Sequence, residues 1–409
     1  MDNQQALPII LALIPLVLGI VWRVAQISFA TLKSIGLTAI VALGILLVTT
    51  VEIDPSTNFL AFAVLLSSFC VMLCQEETQQ ASVIGSSSLI ALGLALGVLL
   101  SQGFVSRLFL TGLLGFAAFS LHREKYRSFK TTLVLIHFVI AIVISLSSGF
   151  GDKSFQLFAN LFLAVTFLPL APFHLPFVGI VEGAKGTLSS FWVVVWLAIG
   201  LAELNMIYTS LNAEMLFVIS LLALVNAFYA SLAALGQRQS NLFVASATVA
   251  HVSLIWGLLN IFPNFPEWGI AYGIAVAFIL GGVCLAFSFI QQRYGWQIIG
   301  KLPGLGLTMP RFGIAMVFLV SFALFLPFLP TITGLTIMPT IENHNVNFTM
   351  IFLMFLAVWL GSGWYLLKML HQTAFGRART DVFYNDLFTT EFVAVTVLIL
   401  GATYSGLFY

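Results

Sequence analysis

About fourteen apolar runs, each close to the twenty residues needed to cross a bilayer, follow one another with only short polar connections between them. They occupy 7–22, 37–51, 58–74, 82–103, 105–121, 131–148, 155–180, 188–209, 214–235, 242–263, 268–290, 311–331, 349–371 and 390–408. Inside lipid, backbone N–H and C=O groups have no water to bond, so a run of this length is stable only as a helix. The chain is 60% hydrophobic and 8% charged, against roughly a quarter charged in a soluble domain, so it cannot solvate itself. The expected class is an all-α integral membrane protein with no loop long enough for a soluble catalytic domain. "MDNQQALPII" at the N-terminus lacks the basic region of a signal peptide, so the first run reads as a retained helix. The net charge of +1 gives no reason to expect nucleic acid. Cys70, Cys74 and Cys284 lie in apolar runs and read as small core residues.

Charge sets an expected orientation. Of the sixteen Lys and Arg, most lie in or beside connections that follow odd-numbered spans: Arg23, Lys33, Arg123, Lys125, Arg127, Lys130, Lys185, Arg238, Arg293, Lys301, Arg311, Lys368, Arg377 and Arg379. Arg107 and Lys153 depart from the pattern. By the positive-inside rule these connections face the cytoplasm or its equivalent, and both termini the opposite side.

Two spans are interrupted. The seventh carries Pro169, Pro172 and Pro176, and the twelfth ends in "FLPFLPTITG" with Pro327, Pro330 and Gly334. Proline lacks a backbone donor and clashes with the preceding turn, so each span is expected to break. Breaks at matching places in two halves mark inverted-repeat transporters. The two spans are five apart, and an odd offset inverts topology. Spans 4–8 and 9–13 are therefore expected to be inverted five-helix repeats. The expected layout is an N-terminal three-helix segment (1–80), repeats at 81–210 and 211–375, and a C-terminal helix (376–409).

The stretch "PFHLPFVGIVEGAKG" resembles the antiporter-like membrane subunits of complex I, the proton-pumping NADH:quinone oxidoreductase, with a lean toward subunit N. That family carries P-F-H-x-W-x-P-D-x-x-E-G-A-P on a broken seventh helix. Pro172, Phe173, His174, Glu182, Gly183 and Ala184 match it without a gap, while Pro176, Val178, Gly179 and Lys185 depart from it. "LAALGQRQSNLFVASATVAHVSLIWGLL" is similar to the family's tenth-helix region, with His251 on its histidine, and "YLLKMLHQTAFGR" to the end of the thirteenth helix. Subunits of multi-subunit cation/proton antiporters share the fold. The resemblance implies a multi-pass protein of a bacterial plasma membrane or another energy-transducing membrane such as the thylakoid. It also implies other membrane subunits, including sister antiporter-like subunits, and lipids as partners, with the redox cofactors in other chains and none bound here.

The family moves protons through buried charges, and carrying those positions over gives a negative result. They fall on Leu114, Phe167, Leu197, Asn241 and Met338, none of them charged. The joint loss is coherent, because a buried lysine without its carboxylate partner is costly to keep. What remains for an ion path is His174, Glu182, Lys185, Glu203 and His251, with Pro172, Pro176 and Pro330 at the breaks. Histidine can relay protons near neutral pH. The plainer readings make His251 and His137 neutral imidazoles bonded to a neighbouring helix. Glu182 and Lys185 become a pair on one helical face, Glu203 an interfacial residue, and Lys368 a snorkelling lysine. Two functions stay open. One is a divergent subunit of a proton-pumping NAD(P)H:quinone oxidoreductase or cation/proton antiporter complex, structural or non-standard in ion translocation and with no catalytic site of its own. The other is a stand-alone secondary transporter of a small solute or anion, with a site between the broken helices.

Overall fold

The computed structural model describes residues 3–24, 28–50, 54–77, 81–122, 129–260, 262, 264–326 and 348–405. Among these residues the helices are α1 (Asn3–Val24), α2 (Phe29–Thr50), α3 (Pro55–Leu73), α4 (Ala81–Leu100), α5 (Gly103–His122), α6 (Phe129–Ser147), α7 (Lys153–Phe167) and α8 (Leu175–Gly183). They continue with α9 (Leu188–Ile207), α10 (Ala213–Gly236), α11 (Ser240–Leu258), α12 (Phe265–Tyr294), α13 (Leu305–Thr308), α14 (Pro310–Phe325), α15 (Phe348–Thr373) and α16 (Thr389–Ser405). Apart from one isolated bridge between Gln239 and Ile298, the described chain has no β-structure. Among the described residues ten helices are long and apolar enough to cross a membrane, and four shorter apolar helices accompany them at 131–147, 153–167, 310–325 and 389–405. The protein is an integral, multi-pass membrane protein.

The chain divides into two compact units. The first comprises Met1–Phe167 and Leu175–Ile207, the second Leu168–His174 and Tyr208–Tyr409. In the first, α4 and α9 are buried over nearly their whole length. Both are apolar on every face, as a helix surrounded by other helices must be. The α1–α4 crossing is tight because small residues let the backbones touch. A Cβ on Gly93 would meet the Ala12 carbonyl oxygen and the Leu16 nitrogen, each at 2.7 Å, and one on Gly19 would meet Ile90 N and Ser86 O at 2.9 Å.

One end of this unit is tied by polar groups. Lys33, in α2, donates to the carbonyls of Leu73 (3.0 Å) and Gln75 (2.6 Å). It thereby satisfies acceptors at the C-terminus of α3 that the helix itself leaves open. The Gln75 amide in turn donates to the Thr187 hydroxyl at 2.6 Å, and both residues are buried. Lys33 therefore lies within a helix, not in a connection as the span boundaries suggest. Outside the spans, Asp152 caps α7. It accepts from the Phe155 N–H (3.0 Å) and the Ser154 hydroxyl (2.9 Å), bonds that hold its carboxyl below the usual range.

In the second unit α12 is the axis, with its membrane-length window wholly buried. It packs against α11, α14 and α16, and α10 packs against α11 and α15. Gly295 ends α12 in the left-handed region at φ 71°, a conformation that favours glycine. Beyond it the connections join. Ser240 N donates to Gln297 O (2.8 Å), Ile299 N to Arg238 O (2.7 Å), and Gly306 N to Ala374 O (2.9 Å). Gly304, at φ 76°, sits so close to Gly376 and Ala378 that a Cβ there would meet backbone at 2.6 Å. Asp386 accepts from the first N–H groups of α14, Arg311 N at 2.9 Å and Phe312 N at 3.3 Å. Lys301 lies 3.5 Å from the centroid of the Trp296 ring. Lys368 donates to Leu235 O, near the end of α10, at 3.0 Å, so it serves as a cap on a neighbouring helix.

Candidate functional site

The three prolines of the seventh run do what their chemistry requires. Helix α7 stops at Phe167, Leu168–His174 forms turns, and α8 resumes at Leu175. Opening a helix in an apolar interior frees donors and acceptors that must find other partners. Trp196 Nε1 of α9 donates to Thr166 O at 3.0 Å. Trp256 Nε1 of α11 donates to Leu168 O at 3.0 Å. Asn226 of α10 accepts from Ala171 N at 3.0 Å, then donates through Nδ2 to the Ser253 hydroxyl at 2.9 Å. The Ser253 hydroxyl in turn donates to Val249 O at 3.0 Å. All the partners are neutral. Asn226, Ser253, Trp196 and Trp256 were not singled out from the sequence. A lone asparagine in the apolar run of α10 was the signal available, since a buried amide in a membrane needs partners.

The histidines differ in setting. His174, half-buried in the break, has its ring 5.6 Å from that of Tyr229, and its Nδ1 is buried without a hydrogen-bond partner. His251 is 1% exposed. Its Nδ1 lies 3.5 Å from Tyr272 OH, which also reaches the His251 carbonyl at 3.3 Å, and its Nε2 has no partner. His251 sits two residues before Ser253 in α11, where the two side chains leave the helix on opposite sides. His137 Nε2 is 3.1 Å from the Thr166 hydroxyl, which itself donates a hydrogen bond to Phe162 O. That leaves Nε2 as the donor, bonded to a neighbouring helix as expected.

Glu203 is enclosed by protein. It is 1% exposed, and the Arg107 guanidinium holds both of its oxygens, at 2.8 and 3.0 Å. The same guanidinium donates to Asn160 of α7 at 3.2 Å. Thus α5, α7 and α9 meet at one buried ion pair inside the first unit. The partners are 96 residues apart in sequence, which is why reading the chain locally missed it. A second such pair joins Arg293 at the end of α12 to Glu391 of α16, at 2.5 Å. Glu391 also accepts from Phe388 N at 2.8 Å, closing the N-terminus of α16.

Other expectations are corrected or located. Glu182 lies in α8, which ends at Gly183, and Lys185 follows it in the connection to α9. Pro172 is exposed and Pro176 buried at the start of α8. Leu114, Phe167 and Leu197 are fully buried, and the Phe167 ring lies 4.6 Å from that of Trp196. Asn241 is buried in α11, its Oδ1 3.8 Å from the Cys284 thiol and its Nδ2 without a partner. Cys70, Cys74 and Cys284 are buried and form no disulfide. The twelfth-span break, with Pro327, Pro330 and Gly334, and Met338 lie outside the described residues.

No family model matches the chain. It is similar to NADH-quinone oxidoreductase subunit M of Rickettsia prowazekii (strain Madrid E), 26% identical over 251 residues, covering 58% of this chain and 50% of that protein. Subunit M of Rickettsia felis (strain ATCC VR-1525 / URRWXCal2) is 26% identical over 259 residues, covering 59% of this chain and 50% of that protein. The match thus spans about half the length of these curated relatives. Both are subunits M, where the sequence reading leans toward subunit N. In structure, the chain superposes on one from respiratory complex I of Thermus thermophilus with bound NADH. The TM-score is 0.78 at 18% identity, over 98% of this chain and 95% of that one. The resemblance to antiporter-like membrane subunits of complex I therefore holds, in sequence to subunit M and in fold to a chain of the assembled enzyme.

Proposed function

We propose that this chain is a divergent antiporter-like membrane subunit of a multi-subunit complex, either a proton-pumping NAD(P)H:quinone oxidoreductase or a cation/proton antiporter. In it the chain holds sister subunits and shapes an ion route with them; it is not an independent pump. The observation that carries this reading is the opened seventh span. The break is kept and clamped by an amide and two indoles, while the positions where the resemblance puts charges, Leu114, Phe167 and Leu197, are buried and apolar. Selection on packing retains an opened helix without its charges. Selection on proton transfer alone does not.

Fourteen spans, inverted repeats at 81–210 and 211–375, and both termini on the non-cytoplasmic side are part of the proposal. Two features support them. The boundary between the compact units, at Ile207 and Tyr208, falls beside the proposed repeat junction. The groups that tie each unit at one end, Gln75 and Thr187 in the first and Arg238, Gln297, Gly306 and Ala374 in the second, belong to connections after odd-numbered spans, and Lys33 reaches the same end from the first turns of α2. Arg107, an exception to the charge bias, is neutralised by Glu203, so it adds no net charge to the opposite side. Any residual conduction uses His251, His174, Glu203 and Glu182 with water.

Purification in mild detergent tests the reading. Stoichiometric retention of other membrane subunits is expected. Solute flux by the lone chain in liposomes would instead favour the stand-alone transporter. A pH jump in proteoliposomes holding the whole complex then tests His251→Ala, and an unchanged rate removes His251 from the path.

A further inference from the structure

One side of α10 is buried and the other is not. Ile219, Ala223, Asn226, Ala230 and Ala234 are buried, while Val218, Leu222, Val225, Tyr229 and Leu232 are exposed. The exposed set recurs at spacings of four and three residues, the seam that a helix offers to a second helix crossing it at a shallow angle. Aliphatic side chains on such a seam are as stable against lipid as against protein, so they do not by themselves name an occupant. Tyr229 narrows the choice. It is 51% exposed, and at about 1.5 Å per residue it lies about 7 Å from the middle of α10. The hydrocarbon reaches roughly 15 Å from the bilayer midplane, so this position is well inside it. Among the described residues the Tyr229 hydroxyl makes no hydrogen bond. Its ring meets that of His174, 5.6 Å away, whose Nδ1 is also unpartnered. Pro172, two residues before His174 in the opened span, is exposed. All of these residues belong to the second unit. A phenol, an imidazole and an opened backbone thus come together at a depth where acyl chains supply no hydrogen bond. Phospholipid headgroups and their water stay at the interface. A polar partner at this depth has to be carried there by a helix.

We propose that the exposed seam of α10 docks a membrane-spanning helix of a neighbouring subunit, one that carries a hydroxyl, amide or imidazole side chain opposite Tyr229. Apolar residues of the incoming helix pack among Val218, Leu222, Val225 and Leu232, and its polar side chain bonds the phenol beside the break. The inference rests on the subunit reading and names the surface through which the chain holds a neighbour. It can fail while that reading stands.

The test uses the full chain in its own membrane. A benzophenone amino acid is placed at Val225 or at Leu232, and the membranes are irradiated before solubilisation. Both positions are expected to cross-link to one membrane-spanning helix of a subunit that co-purifies with this chain in stoichiometric amount. That helix should carry a polar side chain within a turn of the cross-linked residue. Tyr229→Phe removes only the hydroxyl and should weaken retention of that subunit, read in a detergent titration, about fivefold. Val225→Trp adds bulk on the exposed side alone. It should abolish retention and the cross-link from Leu232, and leave the melting curve of the lone chain unchanged. Cross-links confined to lipid, to this chain or to a second copy of it overturn the docking face and leave the subunit reading intact. Retention unmoved by both variants does the same. An adduct with a quinone overturns the proposal by assigning the face to a lipid-soluble carrier. Failure of any membrane subunit to co-purify overturns both the docking face and the subunit reading.

Discussion

Glu203 and Arg107 sit where neither would be tolerated alone. Removing one partner of a buried ion pair leaves an uncompensated charge and costs about 3–5 kcal/mol. Glu203→Ala should therefore lower the melting temperature of the detergent-purified protein sharply, and Glu203→Leu combined with Arg107→Met should restore much of the loss. A single variant that melts with the wild type would show that the pair does not tie α5, α7 and α9. Asn226 offers a second case. Replacing it by Leu strands the Ala171 N–H, at a cost of about 1–3 kcal/mol for the orphaned donor, while the Ser253 hydroxyl keeps its bond to Val249 O. Asn226→Leu should destabilise measurably more than Ser220→Ala, a buried hydroxyl on the same helix that makes no hydrogen bond. Equal melting curves would count against the clamp. The histidine, glutamate and asparagine positions were all visible as polar letters in apolar text. Which of them pair was not, because Arg107 and Glu203 share no local pattern.

At the scale of elements, glycines separate into those that let helices touch and those that do not. Gly93 faces the backbone of α1, which has nothing to give. Gly93→Ala is expected to cost about 1–3 kcal/mol through overpacking. Gly115, on α5, has nothing within 4 Å of its would-be Cβ, so Gly115→Ala should be neutral or stabilising by up to about 1 kcal/mol through helix propensity. Thermal unfolding of the two variants in one detergent decides it, and the same sign for both would refute the α1–α4 close contact. The helices themselves were legible, since the expected runs overlap helices among the described residues, the seventh run covering both α7 and α8. The seventh-run break was legible too, because proline acts on its own backbone whatever surrounds it. The lysine caps were not: Lys33 and Lys368 act on carbonyls 40 and 133 residues away.

For the whole molecule, the orientation makes a plain prediction. Lys153→Cys and Lys301→Cys, both exposed in connections or helix ends, should be labelled by an impermeant thiol reagent from opposite sides of the membrane. Labelling from the same side would overturn the span count. The resemblance read from one motif extends, in fold, over nearly the whole chain, although sequence identity reaches little more than half of it.

By itself the sequence determined that this chain lives in a bilayer, where its helices run, and where one of them must open, since hydrophobic partition and proline sterics act locally. Only the tertiary structure decided what closes the open helix and what neutralises Arg107. In a membrane, a polar group is stable only beside its partner, and that partner is chosen by how helices pack, not by their order along the chain.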